Sequence, residues 1–300
     1  MVITSKAPVR IDFAGGWTDV DIFAKGAGGA VLNATIDKYV TGRLEVRDGS
    51  ISQTGKHQDG ITISYQSELP AGSGLGTSSA LNVVWLSLVK SRITSMEDKK
   101  TIANLAYDLE AILGILGGKQ DQYASALGGF NFMTFDGTVE VESLDVPSDV
   151  VRELENNLVL CYTGKPRLSG NIHENVWGAY RRGMPETVNA LFSLRDIAYK
   201  MKDALMVGKL DEFASLMNEN WSCQKKLDGS ITNEQIEELF DKVFEQGAIG
   251  GKACGAGGGG CVLFFSKPNR RENVKQVVEQ LGSRVIPFKF DFDGLQIAGL

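Results

Sequence analysis

The sequence predicts a mixed α/β protein of two domains. Three observations support this: short strand-like runs alternate with longer helical patterns, glycine clusters separate them, and 300 residues with 43% hydrophobic side chains suffice for two cores. We expect a boundary near residue 153, with one domain over residues 1–153 and a second over residues 154–300. The charged fraction of 23% is ordinary for a folded chain and excludes fibrous and disordered classes.

The N-terminal half is expected to begin with strands. Apolar and polar residues alternate within residues 1–50 and over Ile61–Tyr65, which is typical of half-buried strands. The continuous apolar run Ala80–Val89 is too long for a strand and predicts a buried helix. A second helix is expected after the capping-box pattern Thr94–Glu97, because apolar residues recur every three or four positions from Ile102 to Leu113.

The remaining elements follow from shorter patterns. Two alternating runs on either side of Asp136-Gly137 predict a hairpin of Phe130–Phe135 and Val139–Leu144. The periodicity is helical from Ile172 to Phe244, with breaks at Pro185 and at Asp228-Gly229. Further strands and one helix are predicted over Leu158–Tyr162, Cys261–Phe265, Val285–Phe290 and, for the helix, Glu272–Leu281.

Charge and cysteine content narrow the class of protein. The net charge is −6 and no basic block is present, so a nucleic-acid partner is not expected. No apolar stretch approaches the ~20 residues that cross a bilayer, which predicts no membrane partner. The four cysteines form no Cys-x-x-Cys pair and Met1–Lys6 is not a basic stretch leading into an apolar segment, so we expect a cytoplasmic protein with reduced thiols. No pattern indicates a particular oligomeric state.

The strongest functional signal lies in residues 69–80. Glycines at alternate positions are followed by three hydroxyl residues and a helix, so backbone N–H groups and the helix N-terminus can converge on an anion. No lysine precedes Thr77 or Ser78, which excludes a Walker A loop, and a glycine turn with a serine cap is the plainer alternative. The predicted phosphate contacts are Pro70, Gly72, Ser73, Gly74, Leu75, Gly76, Thr77, Ser78 and Ser79.

The motif Pro-x-Gly-x-Gly-Leu-Gly-Thr-Ser before a helix resembles the phosphate loop of the GHMP kinases, such as galactokinase, homoserine kinase and mevalonate kinase. Two further stretches in the family order, Ala7–Asp19 and Lys252–Cys261, extend the resemblance from residue 6 to about 266. The resemblance implies a ribosomal-protein-S5-domain-2-like N-terminal domain, a ferredoxin-like α+β C-terminal domain, and an active site between them that uses ATP and Mg²⁺. Residues 70–79 are called the phosphate loop below.

The resemblance also implies catalytic roles. Glu110 and the Ser78 hydroxyl would hold Mg²⁺, and Asp121 would orient or accept the proton of the attacking hydroxyl. Arg10 would stabilise negative charge in the transition state. From the residues alone, Glu110 is expected on a helix and Asp121 on a loop, and a solvated helix residue, a turn former and a surface arginine remain their alternatives.

The segment expected to contact the phosphate acceptor differs from that of galactokinases. They carry Gly-Glu-His-Thr-Asp where this chain has Gly15-Gly16-Trp17-Thr18-Asp19. The segment resembles D-glycero-D-manno-heptose 7-phosphate kinases and L-fucokinases instead, which implies phosphorylation of the anomeric hydroxyl of a sugar or sugar phosphate. Heptose 7-phosphate is favoured, because the missing carboxylate at Gly16 leaves room for a phosphate-bearing tail. Trp17 either stacks on the sugar or fills the core. The expected substrate contacts are Gly16, Trp17, Thr18, Asp19, Asp121, Lys165, Arg167, Gly257 and Gly258.

Two other functional classes remain open. Gly255, Gly257 and Gly260 match the Gly-x-Gly-x-x-Gly pattern of a nicotinamide-dependent oxidoreductase, although the strand-like residues after them favour a tight loop near the substrate. The second alternative is a catalytically silent sugar and ATP sensor on the same fold. His57 and His173 lack metal-ligand spacing and are interpreted as ordinary polar positions, and Cys254 and Cys261 as buried thiols.

Overall fold

The computed structural model describes residues 1–47, 60–90, 93–165 and 170–299. These residues form two antiparallel sheets, with strand order β10-β1-β2-β4-β5 in the first, where β3 also pairs with β2, and β7-β8-β6-β9 in the second. The strands are β1 Val2–Ala14, β2 Gly29–Arg47, β3 Gly60–Ser67, β4 Phe130–Asp136, β5 Thr138–Leu144, β6 Leu158–Tyr162, β7 Ala248–Ala253, β8 Cys261–Ser266, β9 Arg284–Ile286 and β10 Gln296–Ala298.

Helices surround and separate the sheets. They are α1 Asp21–Ala27, α2 Thr77–Lys90, α3 Met96–Ile112, α4 Gln120–Leu127, α5 Ser148–Asn157, α6 Gly170–Arg181, α7 Pro185–Met206, α8 Leu210–Lys225, α9 Glu234–Glu245 and α10 Arg271–Gln280. A 3₁₀ turn lies at Gly229–Ile231. Within the part of the chain that the structure describes, no helix is both long and apolar enough to cross a membrane.

Strand β1 is the central element for the site. All residues from Ala7 to Ala14 are buried, because α2 and α4 as well as α7 and α8 contact this strand. Its neighbour β2 is long enough to pair with two further strands, with β4 over its first part and with β3 over its last. Polar residues in the buried part of β1, such as Arg10 and Asp12, therefore require partners from the surrounding elements.

Most predicted elements are present, and the predicted fold class is confirmed. The hairpin forms as β4 and β5 around Gly137. The helix cap differs from the expectation: the capping box joins Ser95 and Asp98, not Thr94 and Glu97, because the Ser95 hydroxyl accepts from the Asp98 N–H and the Asp98 carboxylate accepts from the Ser95 N–H. The strand expected to reach Phe290 ends at Ile286.

Several elements were not expected from the sequence, namely α1, α4, α5, β7 and β10. The expectation that Asp121 lies on a loop is wrong, because Asp121 occupies the first turn of α4. Strand β10 pairs with β1, so the last described residues of the chain complete the first sheet.

Candidate active site

A cavity of about 660 Å³ opens beside the buried end of β1. It is bounded by β1, by the phosphate loop, by the segment that joins α3 to α4, and by the start of residues 254–260, called the C-terminal glycine loop below. The sequence-predicted residues that line it are Arg10, Gly16, Trp17, Asp19, Gly72, Ser73, Gly74, Gly76, Thr77, Ser78, Ser79, Glu110 and Asp121.

The phosphate loop has the backbone that its sequence requires. Gly72, Gly74 and Gly76 have φ of 73°, 81° and 75°, a left-handed conformation that disfavours side chains, which explains the alternation of glycine. The Ser73 and Thr77 hydroxyls lie 3.0 Å apart and tie the loop to the first turn of α2. The loop therefore leads directly into a helix N-terminus that faces the cavity, an arrangement suited to phosphate.

Arg10 joins Asp121 to the phosphate loop. Its Nε and Nη2 atoms each lie 2.7 Å from Asp121 Oδ1, and its Nη1 donates to the Gly74 carbonyl at 2.8 Å. Burial alone would disfavour the charged guanidinium, yet the nearby carboxylates of Asp121 and Asp12 outweigh burial and raise the pKa of Arg10. The guanidinium thus stays charged and fixes Asp121 against the phosphate loop.

Glu110 lies in a buried pocket of amide and hydroxyl groups. Asn82 donates to Oε1 and Gln122 donates to Oε2, both at 2.9 Å, and the carboxylate forms no ion pair with the described residues. Burial raises the pKa of Glu110, because the charged form loses solvation. The exposed Ser78 hydroxyl lines the same cavity, so two hard oxygen groups of the type that Mg²⁺ prefers border this space.

Asp19 is the most perturbed carboxylate of the cavity. It is 3% exposed and accepts a hydrogen bond from the Gln120 N–H at 3.1 Å. Burial raises the pKa of Asp19 to about 7, and the negative charge of Asp121 adds to this effect. Space for the carboxylate exists because residue 118 is glycine: a Cβ at Gly118 would lie 1.8 Å from Asp19 Oδ2.

Aromatic side chains close the end of the cavity that Gly16, Trp17 and Asp19 line, called the acceptor end below after its expected role. Trp17 is 5% exposed, and its ring lies 4.6 Å from the ring of His173 and 5.8 Å from that of Trp177. Its φ of 81° is unusual for an aromatic residue and marks backbone held under strain. Trp17 therefore fills the core and lines the cavity as well. His173, interpreted from the sequence as an ordinary polar position, also lines the cavity.

Sequence reasoning missed a buried ion pair. Lys252 is 0% exposed, and its Nζ lies 2.6 Å from Asp12 Oδ2 and 2.6 Å from the Asp12 carbonyl oxygen. Asp12 lines the cavity, and its Oδ1 accepts from the Gly255 N–H at 2.9 Å. Two signals were available: Asp12 follows Arg10 by two positions on a predicted strand, and Lys252 lies three positions before Gly255, where the glycine run begins.

Several expected contacts do not line the cavity. The Thr18 hydroxyl is buried against the Gly15 carbonyl and the Ala30 backbone, Leu75 is buried in the core, and Pro70 and Lys165 lie outside the lining. Arg167 lies outside the described residues, as does His57.

The C-terminal glycine loop lies between two antiparallel strands, β7 and β8. It does not open a helix, so the nicotinamide-dependent oxidoreductase alternative loses its structural basis. Gly257 and Gly258 pack against Ile231 and Ser230, and a Cβ at Gly257 would lie 2.6 Å from the Ile231 carbonyl oxygen. Gly255 and Ala256 line the cavity in their place.

Comparison with known proteins identifies the family of the chain. The family model for the GHMP kinases N terminal domain matches residues 40–129, and the model for the GHMP kinases C terminal matches residues 201–284. The D-glycero-alpha-D-manno-heptose 7-phosphate kinase of Campylobacter jejuni is 30% identical, with 98% of each chain covered. The bifunctional fucokinase/GDP-fucose pyrophosphorylase of Arabidopsis thaliana is 28% identical over 92% of this chain, which spans 31% of that longer protein.

A solved structure gives the same result. The crystal structure of a D-glycero-D-manno-heptose 1-phosphate kinase from Bacteroides thetaiotaomicron superposes with a TM-score of 0.77 at 28% identity, with 99% of each chain covered. Fold, motif order and sequence similarity over nearly the whole chain agree, and they confirm the resemblance predicted from the motifs. The chain belongs to the GHMP kinase family and is an ATP-dependent kinase.

Proposed function

We propose that this kinase transfers the γ-phosphoryl group of ATP to the anomeric hydroxyl of a sugar, with D-glycero-D-manno-heptose 7-phosphate as the favoured acceptor. The observation that carries the proposal is the contact of Arg10 with both Asp121 and the phosphate loop, because it brings a carboxylate beside the site expected for the γ-phosphate. The similarity to a heptose 7-phosphate kinase over 98% of the chain supports the choice of acceptor.

Asp121 is proposed to take the proton of the attacking hydroxyl. Both contacts from Arg10 go to Oδ1, so Oδ2 is available to the acceptor. The Asp121 carboxylate faces the phosphate loop, since a Cβ at Gly76 would lie 3.2 Å from Oδ2. An acceptor hydroxyl bonded to Oδ2 would therefore lie next to phosphate held by the loop amides, which is the positioning that phosphoryl transfer requires.

The other polar groups divide into binding roles. Loop amides from Gly72 to Ser78 would bind the ATP phosphates, and Asp19 would accept hydrogen bonds from acceptor hydroxyls. Ser78 and Glu110 would hold Mg²⁺, which neutralises charge on the phosphates when bound. We propose that residues 1–153 and 154–300 supply the two sides of the cavity, with the first sheet completed by β10.

The charges of the cavity support an acceptor that bears a phosphate. Asp12 is neutralised by Lys252, Asp121 by Arg10, and Asp19 is only partly ionised at neutral pH. Gly16 adds no carboxylate. A second phosphate group that enters this end of the cavity therefore faces Asp19, which is partly ionised, and no fully charged carboxylate without a cation beside it.

A screen of acceptors by coupled ADP release tests the proposal. The panel contains heptose 7-phosphate, L-fucose, galactose and mannose, each with ATP and Mg²⁺. We expect kcat/KM for heptose 7-phosphate to exceed that of every free sugar by at least tenfold. Preference for L-fucose would overturn the assignment of the acceptor, and no ADP formation with any sugar would overturn the kinase proposal in favour of a silent sensor.

A further inference from the structure

We infer that Lys252, acting through Asp12, positions the C-terminal glycine loop and thereby sets the acceptor end of the cavity relative to the phosphate loop. This inference rests on the proposed transfer of phosphate to an acceptor in the cavity. Lys252 itself does not line the cavity, whereas Asp12 and Gly255 both do. Lys252 is therefore a positioning residue.

The pair joins the two sheets. Lys252 lies on β7 of the second sheet and Asp12 on β1 of the first. Their exposed fractions are 0% and 1%, so neither charge is stabilised by water and each depends on the other. With two contacts of 2.6 Å, to the carboxylate and to the carbonyl of Asp12, the ammonium group fixes both the side chain and the backbone at the end of β1.

The C-terminal glycine loop is held at both of its ends. At its start, the Gly255 N–H donates to Asp12 Oδ1 at 2.9 Å. At its end, the N–H of Cys261 donates to the carbonyl of Ser73 in the phosphate loop at 2.7 Å. The approach is close enough that a Cβ at Gly260 would lie 2.6 Å from that same carbonyl oxygen. The loop thus connects the acceptor end to the phosphate end of the cavity.

Loss of Lys252 should let Asp12 shift, together with the start of the loop that is hydrogen-bonded to it. This shift should reduce turnover of the acceptor and leave the binding of ATP unchanged. Asp12 lies two positions from Arg10 on the same face of β1, so a shift of Asp12 moves the acceptor end relative to Asp121. The phosphate loop keeps its own contacts, which include the Ser73 to Thr77 hydrogen bond and the Arg10 to Gly74 hydrogen bond. A displacement of about 1 Å in a reacting group can cost about 10²-fold in rate.

The test uses the double variant Asp12→Asn/Lys252→Met. A single substitution would leave one buried charge without its partner and destabilise the fold. The double variant removes both charges, so no buried charge is left unpaired. It also keeps an amide oxygen at position 12 as an acceptor for the Gly255 N–H, so it removes the lysine attachment alone. The matched control is Glu142→Gln/Lys202→Met, an ion pair of 2.5 Å between β5 and α7 that does not line the cavity.

Three measurements are made on both double variants: kcat and KM for the acceptor, the Kd for ATP, and amide hydrogen exchange of residues 254–261. For the Asp12 and Lys252 variant we expect kcat/KM for the acceptor to fall at least tenfold, the Kd for ATP to stay within twofold, and exchange of the loop amides to accelerate at least tenfold. The control should match the wild type in all three.

Two results would overturn the inference. One is a folded variant with wild-type kcat/KM, which would show that the ion pair serves stability alone. The other is unchanged exchange of residues 254–261, which would show that the loop does not depend on Lys252. If the wild type phosphorylates no sugar, the proposed function fails and the exchange measurement still decides the role of Lys252.

Discussion

Substitution of Gly118 by alanine isolates the contribution of Asp19. A Cβ at Gly118 would lie 1.8 Å from Oδ2, 2.1 Å from Cγ and 2.5 Å from Oδ1 of Asp19. All three distances are shorter than any tolerated contact, so the Asp19 carboxylate must move by about 1 Å or more. Asp19 is buried and accepts a hydrogen bond from the Gln120 N–H, so this movement also breaks the hydrogen bond that orients the Asp19 carboxylate.

The size of the displacement sets the expected effect. Misplacement of a positioned group by about 1 Å costs about 10²-fold in rate, so kcat/KM for the acceptor should fall by about 10²-fold in Gly118→Ala. Overpacking should also reduce the free energy of unfolding by about 1–3 kcal/mol. The atoms nearest to a Cβ at Gly118 all belong to Asp19 and not to the phosphate loop, so the Kd for ATP should stay within twofold. Coupled ADP release, denaturant unfolding and titration calorimetry measure the three quantities.

The neighbouring glycine provides a matched control. A Cβ at Gly117 would meet only Glu110 Oε2, at 4.0 Å, which is an ordinary contact. Gly117→Ala should therefore keep kcat/KM within twofold of the wild type. Equal activity of Gly118→Ala and the wild type would refute the reasoning, because the carboxylate would then have no required position. Equal losses in both variants would refute it as well, since backbone stiffening would explain them.

Three further predictions concern Asp121, Glu110 and the protonation of Asp19. Asp121→Asn should lower kcat by about 10²–10⁴ with the Kd for ATP unchanged. The control Asp108→Asn, at an exposed position, should keep the wild-type kcat. A wild-type kcat in Asp121→Asn would contradict the proposed base. Glu110→Gln should raise the Mg²⁺ concentration that gives half the maximal rate at least tenfold in a metal titration. An unchanged dependence of the rate on Mg²⁺ concentration would contradict the proposed role of Glu110 in holding the metal. Because folding raises the pKa of Asp19 from 3.8 to about 7, the folded state holds the extra proton, and stability should fall as pH rises through this window. Denaturant unfolding at about pH 4 and pH 7 should show the wild type losing roughly 3 kcal/mol relative to Asp19→Asn, and equal losses would contradict the shift.

The phosphate loop could be predicted because its determinants are contiguous. Alternating glycines, hydroxyl residues and a helix start occupy ten consecutive positions, and local backbone preferences suffice to interpret them. The same holds for the hairpin around Gly137, where turn and strand signals adjoin. Such segments carry their information within one short stretch of chain.

Elements buried on several sides could not be predicted in this way. In α4, Gln120–Leu127, all residues but Asp121 are buried, so no polar face produces a helical period. In β7, Gly250 and Gly251 weaken the strand pattern, yet a Cβ at either position would lie within 3 Å of Ala214 or Phe264. Tertiary packing determines both elements, and it outweighs local propensity.

Partners distant in sequence also decide which carboxylate is suited to act as the base. Asp12, Asp19 and Asp121 all line the cavity, and the sequence alone does not rank Asp12 against the other two. Both oxygens of Asp12 are engaged, by Lys252 and by Gly255, which leaves it a structural role. Asp19 Oδ2 accepts a hydrogen bond from the Gln120 N–H, and no hydrogen bond among the described residues joins Asp19 to Arg10 or to the phosphate loop. Asp121 alone of the three combines a charged guanidinium on one oxygen with a second oxygen that accepts no hydrogen bond from the described residues and faces the phosphate loop. The proposed base is therefore distinguished from the other two carboxylates by the groups that surround it.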